Sequence, residues 1–94
     1  MTGGAEFDWD EANIRHIARH QVTPEEAEQT IQNNPLDLGV ETVNGEERFL
    51  NLGITSRGRL LVIATTMRGV KIRVVTAYAA GRQLTILYLK ETGF

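Results

Sequence analysis

Asn44-Gly45, set between two runs of β-prone residues, is the feature that most limits what this chain can become. An Asn-Gly pair tolerates positive φ at both central positions of a two-residue turn, so the flanking segments must pair as an antiparallel hairpin. The first arm covers 37–43 and the second 48–54, where Leu50, Leu52 and Ile54 alternate. Thr55-Ser56-Arg57-Gly58 then turns the chain into Leu60-Leu61-Val62-Ile63-Ala64, an unbroken apolar run expected of a central strand with little solvent on either face. Arg68-Gly69 turns it again into a strand over 71–78. Strict alternation there puts Ile72, Val74 and Thr76 on one face and Arg73, Val75 and Ala77 on the other.

Upstream of Pro35 the signals are helical. Asp10 is a natural N-cap, Glu11 complements the helix dipole, and Trp9 is placed to pack on Ile14 as a hydrophobic staple. Ile14, Ile17 and Ala18 make a short apolar stripe. A second helix begins at Thr23 (N-cap), Pro24 and Glu26, a capping box, turns Ala27, Thr30 and Ile31 inward, and stops at Asn33-Asn34-Pro35. Its Glu25, Glu26 and Glu28, with no Lys or Arg, would be repelled by phosphates, which argues against a DNA-reading helix-turn-helix. The expected fold is α+β: two N-terminal helices and one C-terminal helix on one face of a twisted antiparallel sheet of about four strands. Leu60 to Thr66 lies centrally, and Glu6 to Trp9 is available as a short edge strand.

Ninety-four residues support one domain with one modest core, spanning 1–94 with 1–5 as a disordered tail. No cysteine is present, so disulfides, thiolate catalysis and cysteine-ligated zinc are excluded. No apolar run has membrane-spanning length, and the start has no signal-peptide pattern, so the expected location is cytoplasmic. The net charge of −2 hides an asymmetry: from residue 48 onward Arg48, Arg57, Arg59, Arg68, Lys71, Arg73, Arg82 and Lys90 face only Glu91. A cationic strand half of this kind attracts a phosphate backbone; the competing reading is a set of solvated strand ends. Arg73, on a rigid strand, is either a phosphate grip or the partner of a helix glutamate.

His16 and His20 are four residues apart and share a helix face. Such a pair can bind a metal, but no third ligand is visible, so no metal site and no cofactor are assigned. His20 is read instead at the helix C-terminus, where the dipole favours its proton.

Trp9-Asp10, Thr23-Pro24-Glu25-Glu26 and the basic strand Lys71 to Ala77, in this order, resemble the BrnT-like ribonuclease toxins of bacterial toxin–antitoxin systems, within the wider RelE-like group. The resemblance spans Phe7 to Tyr88. Gly45-Glu46-Glu47-Arg48 fits the family's Gly-Glu-x-Arg segment, and Gly58-Arg59 its Gly-Arg. His20 matches a histidine normally followed by glycine; Gln21 stands there, at a cost of roughly 1 kcal/mol if the position is left-handed. Ala77, Ala80 and Tyr88 fit the closing pattern, whereas Tyr78 occupies its arginine slot and Leu84 its glutamate slot.

The resemblance implies metal-free RNA cleavage, which needs proton transfer at the 2′ and 5′ oxygens and cations on the phosphate. The matching positions are His20 as proton carrier, Arg48 and Arg59 on the hairpin strands, Arg73 as phosphate clamp, and Tyr78 as a further donor. Arg68, Lys71, Arg82 and Tyr88 complete the expected RNA-binding set. It also implies a separately encoded antitoxin covering the basic face, and a helix over 84–89, although that composition suits a strand as well. Such a helix is apolar around most of its circumference and should leave at least two large side chains outside the core. A homodimer through the segment around Leu84 is therefore expected. The alternative reading is a non-catalytic homodimeric module that keeps the fold.

Overall fold

The computed structural model describes residues 6–93; the N-terminal tail expected over 1–5 lies outside the described residues. In chain order the elements are α1 (Glu11–Ala18), α2 (Pro24–Gln32), β1 (Leu36–Val43), β2 (Glu46–Ile54), β3 (Leu60–Arg68), β4 (Lys71–Ala79) and α3 (Arg82–Thr92). The strands form one antiparallel sheet in the order β1-β2-β3-β4. The fold is α+β, and 84–89 is helical.

The hairpin turn has φ 52° at Asn44 and 80° at Gly45, the double positive φ that the dipeptide favours. β3 is central and continuously buried from Leu61 to Thr66. Its alternation divides the interior into two. Leu61 and Ile63 join Ile17, Val22, Ala27, Val74 and Ala77 in a core beneath α1 and α2. Val62 faces the other way, joining Leu52 and Tyr88 in a second core with Leu84 and Leu60. The expectation of three helices on one face is thus corrected: α1 and α2 cover one face and α3 the other. β3 is apolar on both faces because each has its own helical cover.

Gly53 explains how close α2 comes to β2. A Cβ there would meet Thr30 Cγ2 and Thr30 O at 3.0 Å and Pro35 Cβ at 3.1 Å. Only glycine leaves that room.

β4 corrects a second expectation. Ala64 pairs with Thr76 but Thr65 with Val74, so Val75 is an extra residue and the alternation breaks. Val74 and Ala77 consequently lie in the same core, and Arg73 no longer shares a face with Ala77. Beyond β4, Ile72 N donates to Glu6 O at 2.9 Å and Asp8 N to Ile72 O at 2.8 Å. The expected edge strand over 6–9 is one parallel bridge, Phe7 to Ile72.

α1 is held differently from the expected apolar stripe. Asn13, at N3, accepts from Asp10 N at 2.8 Å, while its own N–H donates to Asp10 Oδ1 at 3.2 Å, a capping box. Asn13 is buried, and its Nδ2 donates to Asp8 O at 3.0 Å and Val74 O at 3.3 Å, tying the helix to β4. Ile14 and Ala18 are exposed. Trp9 donates its indole N–H to Glu28 at 2.7 Å and stacks beside Phe7, rather than standing as a staple over a buried Ile14. α2 follows its expected capping box, with Thr23 Oγ1 accepting from Glu26 N at 3.1 Å.

Candidate functional site

The end of α1 and the last third of β4 build a row of polar rings. His16 and His20, one helical turn apart, have ring centroids 5.7 Å apart at 69°. His20 lies edge-on to Tyr78, 6.2 Å away. His16 Nε2 shares a hydrogen bond of 3.1 Å with Thr76 Oγ1. His20 and Tyr78 are solvent-exposed, whereas His16 is half-buried.

The turn that presents His20 is closed by Gln21 N–H donating to Ala18 O at 2.9 Å and Val22 N–H to Ile17 O at 3.1 Å. Gln21 has φ 60°, the left-handed conformation in which a glycine is relaxed. Arg59 braces this turn: Nη1 donates to Gln21 O and to both carboxylate oxygens of Glu26, at 3.1 and 3.2 Å, and Nη2 reaches His20 O at 3.4 Å. Burial opposes ionisation of Glu26, but the Thr23 N–H and the Arg59 guanidinium outweigh it and hold its carboxyl below the usual value. Arg59 therefore positions the loop that carries His20.

On its other side His16 borders an open pocket that also includes Asn13, Thr66, Arg68, Arg73 and Glu46. Arg73 is only 14% exposed. Its Nη1 and Nη2 donate to Asp10 Oδ2 and Oδ1 at 3.0 and 3.1 Å, and Asp8 stands 3.8 Å away. The hydrogen bond to Asp10 raises the Arg73 pKa, and the same bond lowers that of Asp10. Arg68 lies 3.8 Å from Asp8, and Arg48 Nε donates to Glu46 at 3.2 Å. Half of the eight cations of the strand half are thus paired with acids from earlier in the chain. Arg57, Lys71, Arg82 and Lys90 make no ion pair among the described residues.

The fold brings His20 to His16 and Tyr78 to His20, lines the pocket beside His16 with Arg68 and Arg73, and reaches Arg48 through Glu46. Lys71 and Arg82 are exposed but do not line the pocket. Tyr88, expected as an RNA contact, is 6% exposed and fills the second core. Leu84 packs against that core too, whereas Ile86 and Leu89 are 54% and 46% exposed.

His16, which the sequence presents only as half of a possible metal pair, enters the candidate site with Thr76 and Asn13, which carry no signal of their own, and with Glu46. The four-residue spacing to His20 was the available signal. Among the described residues no group of three His, Cys, Asp or Glu is placed to hold a metal ion. No helix among them is long and apolar enough to cross a membrane.

Residues 9–83 match a family model described as the ribonuclease toxin, BrnT, of type II toxin–antitoxin systems. No curated protein matches the chain significantly. The matched span holds the ring row and the pocket, and ends one residue before Leu84.

Proposed function

Because the chain belongs to the BrnT family of ribonuclease toxins of type II toxin–antitoxin systems, we infer that it is a metal-independent endoribonuclease of the cytoplasm, restrained by a cognate antitoxin. The observation that carries the site assignment is the exposed His20, ring to ring with Tyr78 and with His16, which in turn borders a pocket containing Arg68 and Arg73. In this reading the 2′-oxygen attacks phosphorus and the P–O5′ bond breaks, leaving a 2′,3′-cyclic phosphate and a 5′-hydroxyl. His20 carries one of the two protons moved. Arg73 and Arg68 take the phosphate charge, Arg48 supports them through Glu46, and Tyr78 offers a ring for a base and a hydroxyl donor. Lys71 and Arg82 supply peripheral backbone contacts. The antitoxin covers the row and the pocket, blocking RNA.

The test is cleavage of total RNA by the purified protein in excess chelator, with His20→Gln as comparison. The ring of His20 is exposed, so this variant should keep its thermal transition and lose about 10²-fold or more in rate. Loss of wild-type cleavage with chelator would replace this reading by a metal-dependent one.

A second reading, a non-catalytic homodimeric module, is favoured by the exposure of Ile86 and Leu89 on α3. Folded protein that neither cleaves RNA nor arrests growth, but sediments as a dimer, would establish it.

A further inference from the structure

We propose that His16 is the second proton-transfer residue of this site, forming with His20 an acid–base couple that flanks one phosphodiester. The proposal rests on the ribonuclease reading and assigns the catalytic group that His20 alone leaves missing.

Cleavage through a 2′,3′-cyclic phosphate moves two protons. One leaves the 2′-hydroxyl as its oxygen bonds to phosphorus, and one arrives at the 5′-oxygen as the P–O5′ bond breaks. A neutral imidazole takes the first and an imidazolium gives the second, so two histidines complete the step without any further reactant. The 5.7 Å between the rings puts both beside a single phosphate. His20 stands at the solvent end and His16 at the mouth of the pocket that holds Arg68 and Arg73.

Thr76 gives His16 a property that suits a proton carrier. A hydroxyl oxygen accepts a hydrogen bond, so with Nε2–H donating to Thr76 Oγ1 the 3.1 Å bond persists while the other ring nitrogen gains or loses its proton. The ring keeps one position through both halves of the cycle. Nδ1, with no hydrogen-bond partner among the described residues, is the nitrogen that exchanges its proton. A histidine serving only the core would not border an open pocket. The charged groups sharing the pocket are Arg73 of β4, Arg68 of β3 and Glu46 of β2. Asp8 and Asp10 of the N-terminal segment stand behind Arg73.

The experiment measures kcat/KM against pH on an oligoribonucleotide for wild type, His16→Gln, His16→Asn, His20→Gln and Thr76→Val, each checked by its thermal transition. The same cleavage is repeated on a substrate whose 5′-bridging oxygen is replaced by sulfur, a leaving group that needs no protonation. Wild type should give a bell-shaped profile. Each histidine variant should lose about 10²- to 10⁴-fold and one limb of the bell. The sulfur substrate should restore the rate of one histidine variant and not the other. Thr76→Val should keep both limbs but displace the one belonging to His16. Wild-type cleavage with folded His16→Gln and His16→Asn retaining their rate and both limbs would overturn the His16 assignment while leaving the ribonuclease reading standing. A wild type that cuts neither substrate would overturn both.

Discussion

Arg73 holds both carboxylate oxygens of Asp10, at 3.0 and 3.1 Å, while the same carboxylate accepts from Asn13 N at 3.2 Å and so caps α1. One side chain therefore starts the helix that carries His16 and leads into the His20 turn, and occupies the arginine best placed to receive a phosphate. A bidentate carboxylate and a bidentate phosphate present similar geometry to a guanidinium. An incoming phosphate must compete with Asp10 for Arg73.

That competition makes Asp10→Asn informative. Asparagine caps a helix about as well as aspartate, so α1 should survive, but a neutral amide cannot hold Arg73 as tightly. RNA binding should strengthen several-fold, and its salt dependence should steepen by roughly 0.7 in log–log slope for one further phosphate contact on a single strand. The acid limb of stability should also change. Asp10 has its pKa lowered from 3.8, chiefly by Arg73, so its contribution is complete above 3.8 and disappears as pH falls through the lowered folded value. Glu26, lowered from 4.5, behaves alike. Wild type should therefore lose thermal stability progressively below about pH 4.5, and Asp10→Asn should lose less over that range. Unchanged RNA affinity in Asp10→Asn would show that Arg73 is structural only.

The local grammar of the chain was legible because it depends on neighbours. The Thr23 capping box, the Asn44-Gly45 turn and the apolar run of β3 each follow from a few adjacent residues. What was not legible depends on distant ones. Val75 becomes a bulge only because β3 and β4 pair across it, and nothing in Arg73-Val74-Val75-Thr76 announces the lost period. The side taken by α3 depends on Val62 and Leu52 needing cover, which period-two alternation in β3 would have signalled had the run not been apolar at every position. The pairing of Arg73 with Asp10 and of Arg59 with Glu26 joins the two halves of the chain, so the charge asymmetry of the sequence did not survive folding as a bare cationic face. Of the residues proposed for the site, His20 and Tyr78 carry signals in the sequence itself, whereas Thr76 opposite His16 required the fold.

Gln21 should be a site of easy stabilisation. Its φ of 60° carries strain that glycine would not, partly offset by the greater freedom of glycine in the unfolded chain. Gln21→Gly should gain roughly 0.5–1 kcal/mol. In a domain of this size that corresponds to a rise of about 2–8 °C in the melting temperature. A fall on calorimetry would mean that the Gln21 side chain contributes more than its backbone costs.

Gly53→Ala should act in the opposite direction. The new methyl would stand 3.0 Å from the Thr30 carbonyl, a backbone atom that cannot rotate away, so α2 must shift from the sheet. Overpacking of this kind costs about 1–3 kcal/mol. Urea denaturation should show a lower midpoint with little change in slope, and Thr30→Ser, which removes Cγ2 but leaves the carbonyl, should recover only part of the loss. Full recovery would place the whole conflict at the threonine methyl.

The two sides of α3 should respond differently to the same substitution. Leu84 packs against Leu52, Val62 and Tyr88 in the second core, so Leu84→Glu brings a carboxylate against apolar side chains and should cost roughly 1–3 kcal/mol. That variant, which restores the charge of the family's closing pattern, is therefore a poor probe of association. Ile86 and Leu89 are the exposed positions, and Ile86→Glu or Leu89→Glu leaves the second core intact. If the homodimer forms through α3, either change should move the sedimentation profile toward monomer without lowering the monomer's melting temperature. Burying a side chain of this size is worth roughly 1.5–3 kcal/mol, and one that the partner buries only in part should cost the dimer about tenfold or more in dissociation constant when made charged. A wild type that stays monomeric at high concentration, or a dimer indifferent to both changes, would assign the exposed apolar side chains of α3 no part in self-association.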